Sequence, residues 1–375
     1  MEKKSMPAKP QLFYLDYYRA YAILTIILGH TACIRHAKIL GFQCNLYGFN
    51  TALFIFIAGY LFQYLSYKFE YKNYLKKKFL NVFLPYLVLI TPLSLMSALA
   101  APVNNTFHNL PFYQKVLGGI IFGQTVDIPT WFIGMIIWFY LLAPVFLKIS
   151  RSKHFGIILT CSMVYTILSR VPVVTHGLAP STSFDFKIIS LHFIAFFFQS
   201  FFHFFSYYLL GMFFCQMKEK HHQKIAQYQT EILKYFGWAF IFSSLAFLTA
   251  PINARAYGGF TKLLSCVTFY FLFTCYEERI LHNVKLHKTL MFISQYSFGL
   301  FLIHQCFANL GNFHTLYELN MPSIFINLTA CTFTNFLIAL VFFVVVLGAS
   351  CLTLVILKFI LKCFKIKNTR WFIGV

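Results

Sequence analysis

The stretch LDYYRAYAILTIILGH, Leu15 to His30, sets the terms for the whole chain. It lies in an apolar run from about residue 13 to 33, long enough for one helix to cross a bilayer. Yet it holds three ionisable side chains, Asp16, Arg19 and His30. Such groups are costly inside a membrane and need a reason. On a helix, Asp16 and Arg19 are i,i+3 neighbours that can neutralise each other. Arg19 and His30 stand eleven residues apart. Eleven steps of a helix return to within about 20° of the same face, about 16 Å further along the axis. Two readings fit these residues. In one, Asp16 and Arg19 form a structural ion pair and His30 is a hydrogen-bonded interfacial side chain. In the other, a fixed cation and a proton acceptor share one face for a chemical purpose.

Outward from this segment, the rest of the chain is as apolar. Of 375 residues, 59% are hydrophobic and 11% charged, with 49 Phe and 23 Tyr. A soluble domain carries about 25% charged residues. The composition excludes a soluble enzyme, a disordered chain and a secreted disulfide scaffold. It predicts an all-α, polytopic integral membrane protein with about ten transmembrane helices. The candidate spans lie near 13–33, 46–66, 82–102, 130–149, 155–171, 190–216, 235–251, 257–276, 289–310 and 337–362. The apolar stretch from 323 to about 363 exceeds one span, so its first part is expected to be re-entrant, interfacial or a further helix. The ten Cys are scattered, form no CxxC and show no metal-ligand spacing with His, so no metal site is expected. The first apolar run lacks a small-residue cleavage site and is expected to stay in place.

Lys and Arg number 31 against 10 Asp and Glu, a net charge of +21. The basic residues cluster between apolar runs, which points to anionic lipid head groups as partners and not to nucleic acid. With the N-terminus inside, 23 basic residues fall in inside segments and 7 outside. The asymmetry predicts both termini in the cytoplasm, which requires an even number of spans. Segment 67–81 looks like an interfacial amphipathic helix with aromatic and basic faces. The expected organisation is a single domain over 1–375, with 1–12 and 364–375 as cytoplasmic tails. The outside loops 103–129 and 172–189 are too short to fold alone.

Further patterned segments follow in order: Leu53 to Leu61 (LFIFIAGYL), Pro85-Tyr86, Thr130-Trp131-Phe132-Ile133 with Tyr140 to Pro144, and Tyr296 to His304 (YSFGLFLIH). Together with the Arg19-x10-His30 helix, these resemble the motifs of the acyltransferase 3 family of integral-membrane O-acyltransferases. The matches run from residue 15 to 304. Where that family often carries Arg-x-x-Arg in an inside loop, this chain has Lys78-Phe79-Leu80-Asn81.

The resemblance implies a membrane O-acyltransferase of the bacterial inner membrane. It would move an acetyl group from acetyl-CoA, a donor substrate rather than a bound cofactor, to a sugar hydroxyl. The acceptor would be a surface polysaccharide, a lipopolysaccharide or a lipid-linked saccharide. Acyl transfer needs a base for the hydroxyl proton and donors for developing negative charge. His30 is the candidate base. Arg19 is the candidate cation for the donor, and Asp16 orients it. Lys78, Trp131, Tyr140, Ser297 and His304 are the further candidates for donor and substrate binding. For His304 an interhelical hydrogen bond is an equal reading, and packing is the commoner role for Trp131 and Tyr140. The Lys76-Lys77-Lys78 run also fits a topology signal. His192 and His203 share a face without a motif, and Glu277 and Glu278 fit solvated charge at a helix end. A secondary transporter or flippase for a lipid-linked glycan is the rival class, since intramembrane Asp, Arg and His suit it too. No internal symmetry favours that rival, and no P-loop favours an ATP-driven pump.

Overall fold

The computed structural model describes residues 10–31, 50–100, 111–122, 130–169, 186–249, 258–310 and 333–375. Each of the ten expected spans carries a helix. These are α1 (Phe13–Thr31), α2 (Asn50–Tyr64), and α3 (Tyr71–Lys78) running through a π turn (Phe79–Phe83) into α4 (Leu84–Ala100). Next come α5 (Phe112–Phe122), α6 (Thr130–Leu141), α7 (Ala143–Arg151) and α8 (Phe155–Leu168). The long helices α9 (Phe186–Lys220), α10 (His222–Thr249), α11 (Gly259–His282), α12 (Val284–Leu310) and α13 (Phe333–Cys363) follow, and α14 (Arg370–Ile373) ends the chain.

By length and composition, five described helical stretches can cross a membrane, and six if the bent pair α6–α7 is one span. The ten expected from apolar runs is a larger number, for a physical reason. The stretch α2 has 15 residues, about 22 Å of rise against a hydrocarbon core of about 30 Å. The helix α1 is diluted by Asp16, Arg19 and four tyrosines, because it is solvated by protein: Tyr14, Tyr17, Tyr18, Ala20, Ile23 and Ile27 are buried. The pair α6–α7 bends by 59° at its junction, where Pro144 stands in the first turn of α7.

Three elements differ from expectation. Segment 67–81 is not a separate interfacial helix, since α3 continues through the π turn into α4. Loop 103–129 contains α5, held to α4 by a hydrogen bond from the Tyr86 hydroxyl to the Ile120 carbonyl. Segment 364–375 is not a free tail, because Ile373 and Val375 are buried in the core.

Two cores meet along α1. Its N-terminal half enters an aromatic cluster with Phe56, Tyr60, Phe139, Tyr207, Tyr208 and Tyr270. Its C-terminal half enters an aliphatic one with Ile90, Leu300, Leu302, Ile303, Val346 and Leu354. Buried tyrosines need partners for their hydroxyls. Tyr14 donates to the Tyr60 hydroxyl at 2.7 Å and Tyr18 to the Cys266 carbonyl at 3.1 Å. The helices α2 and α9 cross at Gly59 and Gly211, where a Cβ would strike the backbone of Tyr208 or of Phe56. Small residues at a crossing let helices approach where lipid supplies no hydrophobic drive.

Candidate active site

The pairing of α1 with α12 positions the candidate residues. Ser294 meets Asp16, and His304 and Gln305 meet His30. Both helices therefore advance in the same direction. Tyr18 meets Phe273 and Tyr21 meets Phe269, so α11 runs the opposite way beside them.

At the N-terminal end of α1, Arg19 Nη1 lies 3.5 Å from Asp16 Oδ1, with the two side chains 27% and 18% exposed. Asp16 also accepts from Gln11 Nε2 at 2.9 Å and from Ser294 Oγ at 3.1 Å. The carboxylate is thus tethered on three sides and holds the guanidinium in one orientation. Glu277 Oε1 accepts from the Tyr14 backbone N–H at 3.1 Å, satisfying one free donor of the first turn. The Tyr17 hydroxyl bonds His287 Nδ1 at 2.8 Å.

Lys78 joins this end from α3. Its Nζ sits over the Tyr140 ring at 4.7 Å and the Tyr74 ring at 5.3 Å, a cation–π seat. Among the described residues it has no carboxylate within ion-pair distance. Beside it a cavity of about 290 Å³ opens between α3, the π turn and α6. Its walls are apolar, from Leu75, Phe79, Val82, Ile133 and Ile136, with Lys78 and Tyr140 as its polar groups.

At the other end of α1, the rings of His30 and His304 lie 5.1 Å apart between centroids. His30 is exposed, and the Gln305 side-chain amide stands 3.2 Å from its Nδ1. His304 is fully buried. Its Nδ1 is 2.9 Å from the Leu300 carbonyl, which only accepts, so Nδ1 carries the proton. Nε2 is then a bare lone pair, buried and without a hydrogen-bond partner among the described residues. A buried unsatisfied acceptor is costly and asks for an explanation.

The structure therefore gathers Asp16, Arg19, Lys78 and Tyr140 toward one end and His30 with His304 at the other. Ser297 is buried on α12, one turn from Ser294, the serine that reaches Asp16. Trp131 lies in α6, and its side chain falls outside the described residues, as does that of His192. His203 packs against α8, with Nδ1 3.0 Å from Ser169 Oγ, and not against α1 or α12. Sequence reasoning missed Ser294 and Gln305, and it read Glu277 as solvated charge where the structure has it accept from the Tyr14 N–H. Ser294 precedes Ser297 by one helical turn and Gln305 follows His304 directly, so both sat beside chosen residues. Among the described residues no three His, Cys, Asp or Glu side chains converge as metal ligands would.

The fold and site define a helical membrane protein with ionisable groups at both ends of one helix interface. An acyltransferase-domain family model matches residues 12–355. The chain belongs to the acyltransferase 3 family, and is a membrane acyltransferase acting on an acyl donor and an acceptor. No curated protein and no solved structure matches it.

Proposed function

We propose that the protein transfers an acetyl group from acetyl-CoA to a sugar hydroxyl of a cell-surface polysaccharide or lipopolysaccharide, in the bacterial inner membrane. The observation that carries this reading is the single α1–α12 interface, with a tethered guanidinium at one end and paired imidazoles at the other. The charge asymmetry of the sequence supports ten spans with both termini in the cytoplasm, which puts Arg19 on the cytoplasmic side.

In this reading Arg19 and Lys78 receive the donor's phosphates, and Asp16 fixes the guanidinium for a bidentate contact. The extended pantetheine arm lies along α1, so the thioester reaches the His30 end. His30 takes the proton of the acceptor hydroxyl, and the oxygen attacks the thioester carbonyl. The C–S bond breaks, and the departing thiolate takes the proton back from the imidazolium. With its amide turned so that the oxygen accepts from Nδ1–H, Gln305 leaves Nε2 of His30 as the base. The lone pair of His304 favours the imidazolium as it forms.

The test has two parts. Purified protein in nanodiscs is expected to release CoA from acetyl-CoA when a surface glycan is supplied, and a deletion strain is expected to lose glycan O-acetylation until complemented. Release of no CoA by any acceptor would remove the acetyl donor from the reading. Topology is checked by single-Cys labelling in a Cys-free background. Position 78 is expected to resist an impermeant reagent applied outside.

A further inference from the structure

The chain does more after α13 than leave the bundle. Lys365 takes a φ of +58° and the Ile366 N–H reaches back to the Leu361 carbonyl at 3.0 Å, so the chain reverses in the manner of a helix cap. The turn of α14 then lies against α4 and the π turn that follows Lys78. Ile373 and Val375 are buried, and Thr369 Oγ1 donates to the Val375 main-chain oxygen at 2.8 Å. The seat is shaped for this segment. A Cβ on Gly299 would stand 2.7 Å from the Ile373 carbonyl oxygen. Gly374 has a φ of +73°, and a Cβ there would stand 2.6 Å from the Phe298 ring. The family match covers residues 12–355, so the segment lies outside the matched stretch.

Docking has an electrostatic consequence. It brings Arg370 into Coulombic range of both Arg19 and Lys78, which also act on each other. Asp16 is the carboxylate acting on Arg19 there, and it is already shared with Gln11 and Ser294. These cations repel one another, and the partial burial of Arg19 and Lys78 weakens the screening that water supplies there, while Arg370 is exposed. The apolar docking of Ile373 and Val375 holds Arg370 against that repulsion. An arrangement of this kind is complete when an anion with several oxygens joins it, and a phosphate is the anion a guanidinium fork fits best.

We propose that segment 364–375 forms a third wall of the donor site, with Arg370 binding a phosphate of coenzyme A beside Arg19 and Lys78. The inference rests on the reading that the acyl donor is a coenzyme A thioester. Anionic lipid head groups present the same phosphate chemistry, and the experiment separates the two sources.

Full-length protein is placed in nanodiscs of phosphatidylcholine alone, and coenzyme A binding is measured by calorimetry at two salt concentrations. Arg370→Gln is expected to weaken binding about ten-fold, the worth of one charge-assisted contact, and to flatten the salt dependence. Arg370→Lys is expected to lose less. Gly374→Val, which unseats the segment without removing a charge, is expected to weaken binding as Arg370→Gln does. Lys362→Gln, an exposed change in the last turn of α13, is expected to bind as wild type does. Equal binding by wild type and Arg370→Gln would overturn this inference and leave the donor reading intact. No binding of coenzyme A by wild type would overturn the donor reading itself. Arg370-dependent retention of phosphatidylglycerol by a protein that ignores coenzyme A would give the cluster to lipid.

Discussion

At its N-terminal end α1 offers α12 a carboxylate and a guanidinium, and at its C-terminal end it offers an imidazole. The first end is held by fixed charges: Asp16 is engaged by Arg19, Gln11 and Ser294, and further cations stand close by. The second end is built around two imidazoles. One imidazole is exposed and the other is buried, with its protonated nitrogen committed to a backbone carbonyl. The difference separates two tasks. Permanent cations suit recognition of a permanent anion, whereas a neutral imidazole suits a proton that must come and go.

The contrast breaks most sharply at His30. In the proposed role of general base it would contribute about 10²–10⁴-fold in rate. His30→Ala is expected to abolish measurable O-acetylation, and His30→Gln not to restore it, since an amide cannot take a proton at neutral pH. Acetylation is normalised to monodisperse, detergent-extracted protein. Near-wild-type specific activity for His30→Gln would move the base to His304.

His304→Gln sharpens the same end. The His304 lone pair acts on the His30 imidazolium through space and not through a hydrogen bond, so kcat should fall about ten-fold, a loss of about 1.4 kcal/mol. The KM for acetyl-CoA should stay unchanged if, as proposed, the donor's phosphates bind at the other end. A rise in KM alone would show that the two ends are not separate in function.

Arg19→Lys tests the first end. Lys cannot reproduce a planar bidentate contact, and the KM for acetyl-CoA should rise about ten-fold with folding retained. Normal donor affinity would leave Asp16–Arg19 as a structural pair.

A packing control lies away from both ends. In Gly211→Ala the new methyl meets the Phe56 backbone, which cannot swing aside as a side chain would. Overpacking of this kind costs about 1–3 kcal/mol and should lower thermal stability, while the surviving protein keeps its specific activity.

The smallest effect is expected at Lys234, which pairs with Glu231 at 2.8 Å with the same i,i+3 spacing as Asp16 and Arg19. Its side chains are 62% and 55% exposed, so Lys234→Gln should leave the thermal unfolding midpoint unchanged, since water screens the pair. A large loss there would mean that spacing and not burial sets the worth of these pairs.

The sequence by itself determined the helical membrane class, the placement of helices along the chain and the shared face of Arg19 and His30. These follow from local quantities: apolar run length, the helical period and the sign of loop charge. It also pointed to His304 and Lys78 through their motif context. Only the tertiary structure decided which residues serve them. Ser294 rather than Ser297 reaches Asp16 because of how α12 is rotated against α1. Gln305 reaches His30 for the same reason, and no single-helix period reveals the rotation of a partner. Glu277 reads as a solvated charge until α11 is seen to end beside the free N–H groups of α1. Segment 364–375 reads as a basic tail because Lys365, Lys367 and Arg370 interrupt its apolar residues, and a short sequence cannot show that a seat for Ile373 exists some 75 residues earlier in the chain, at Gly299. Contacts that distant depend on how separately formed helices pack, and packing is a property of shape that the linear pattern does not carry.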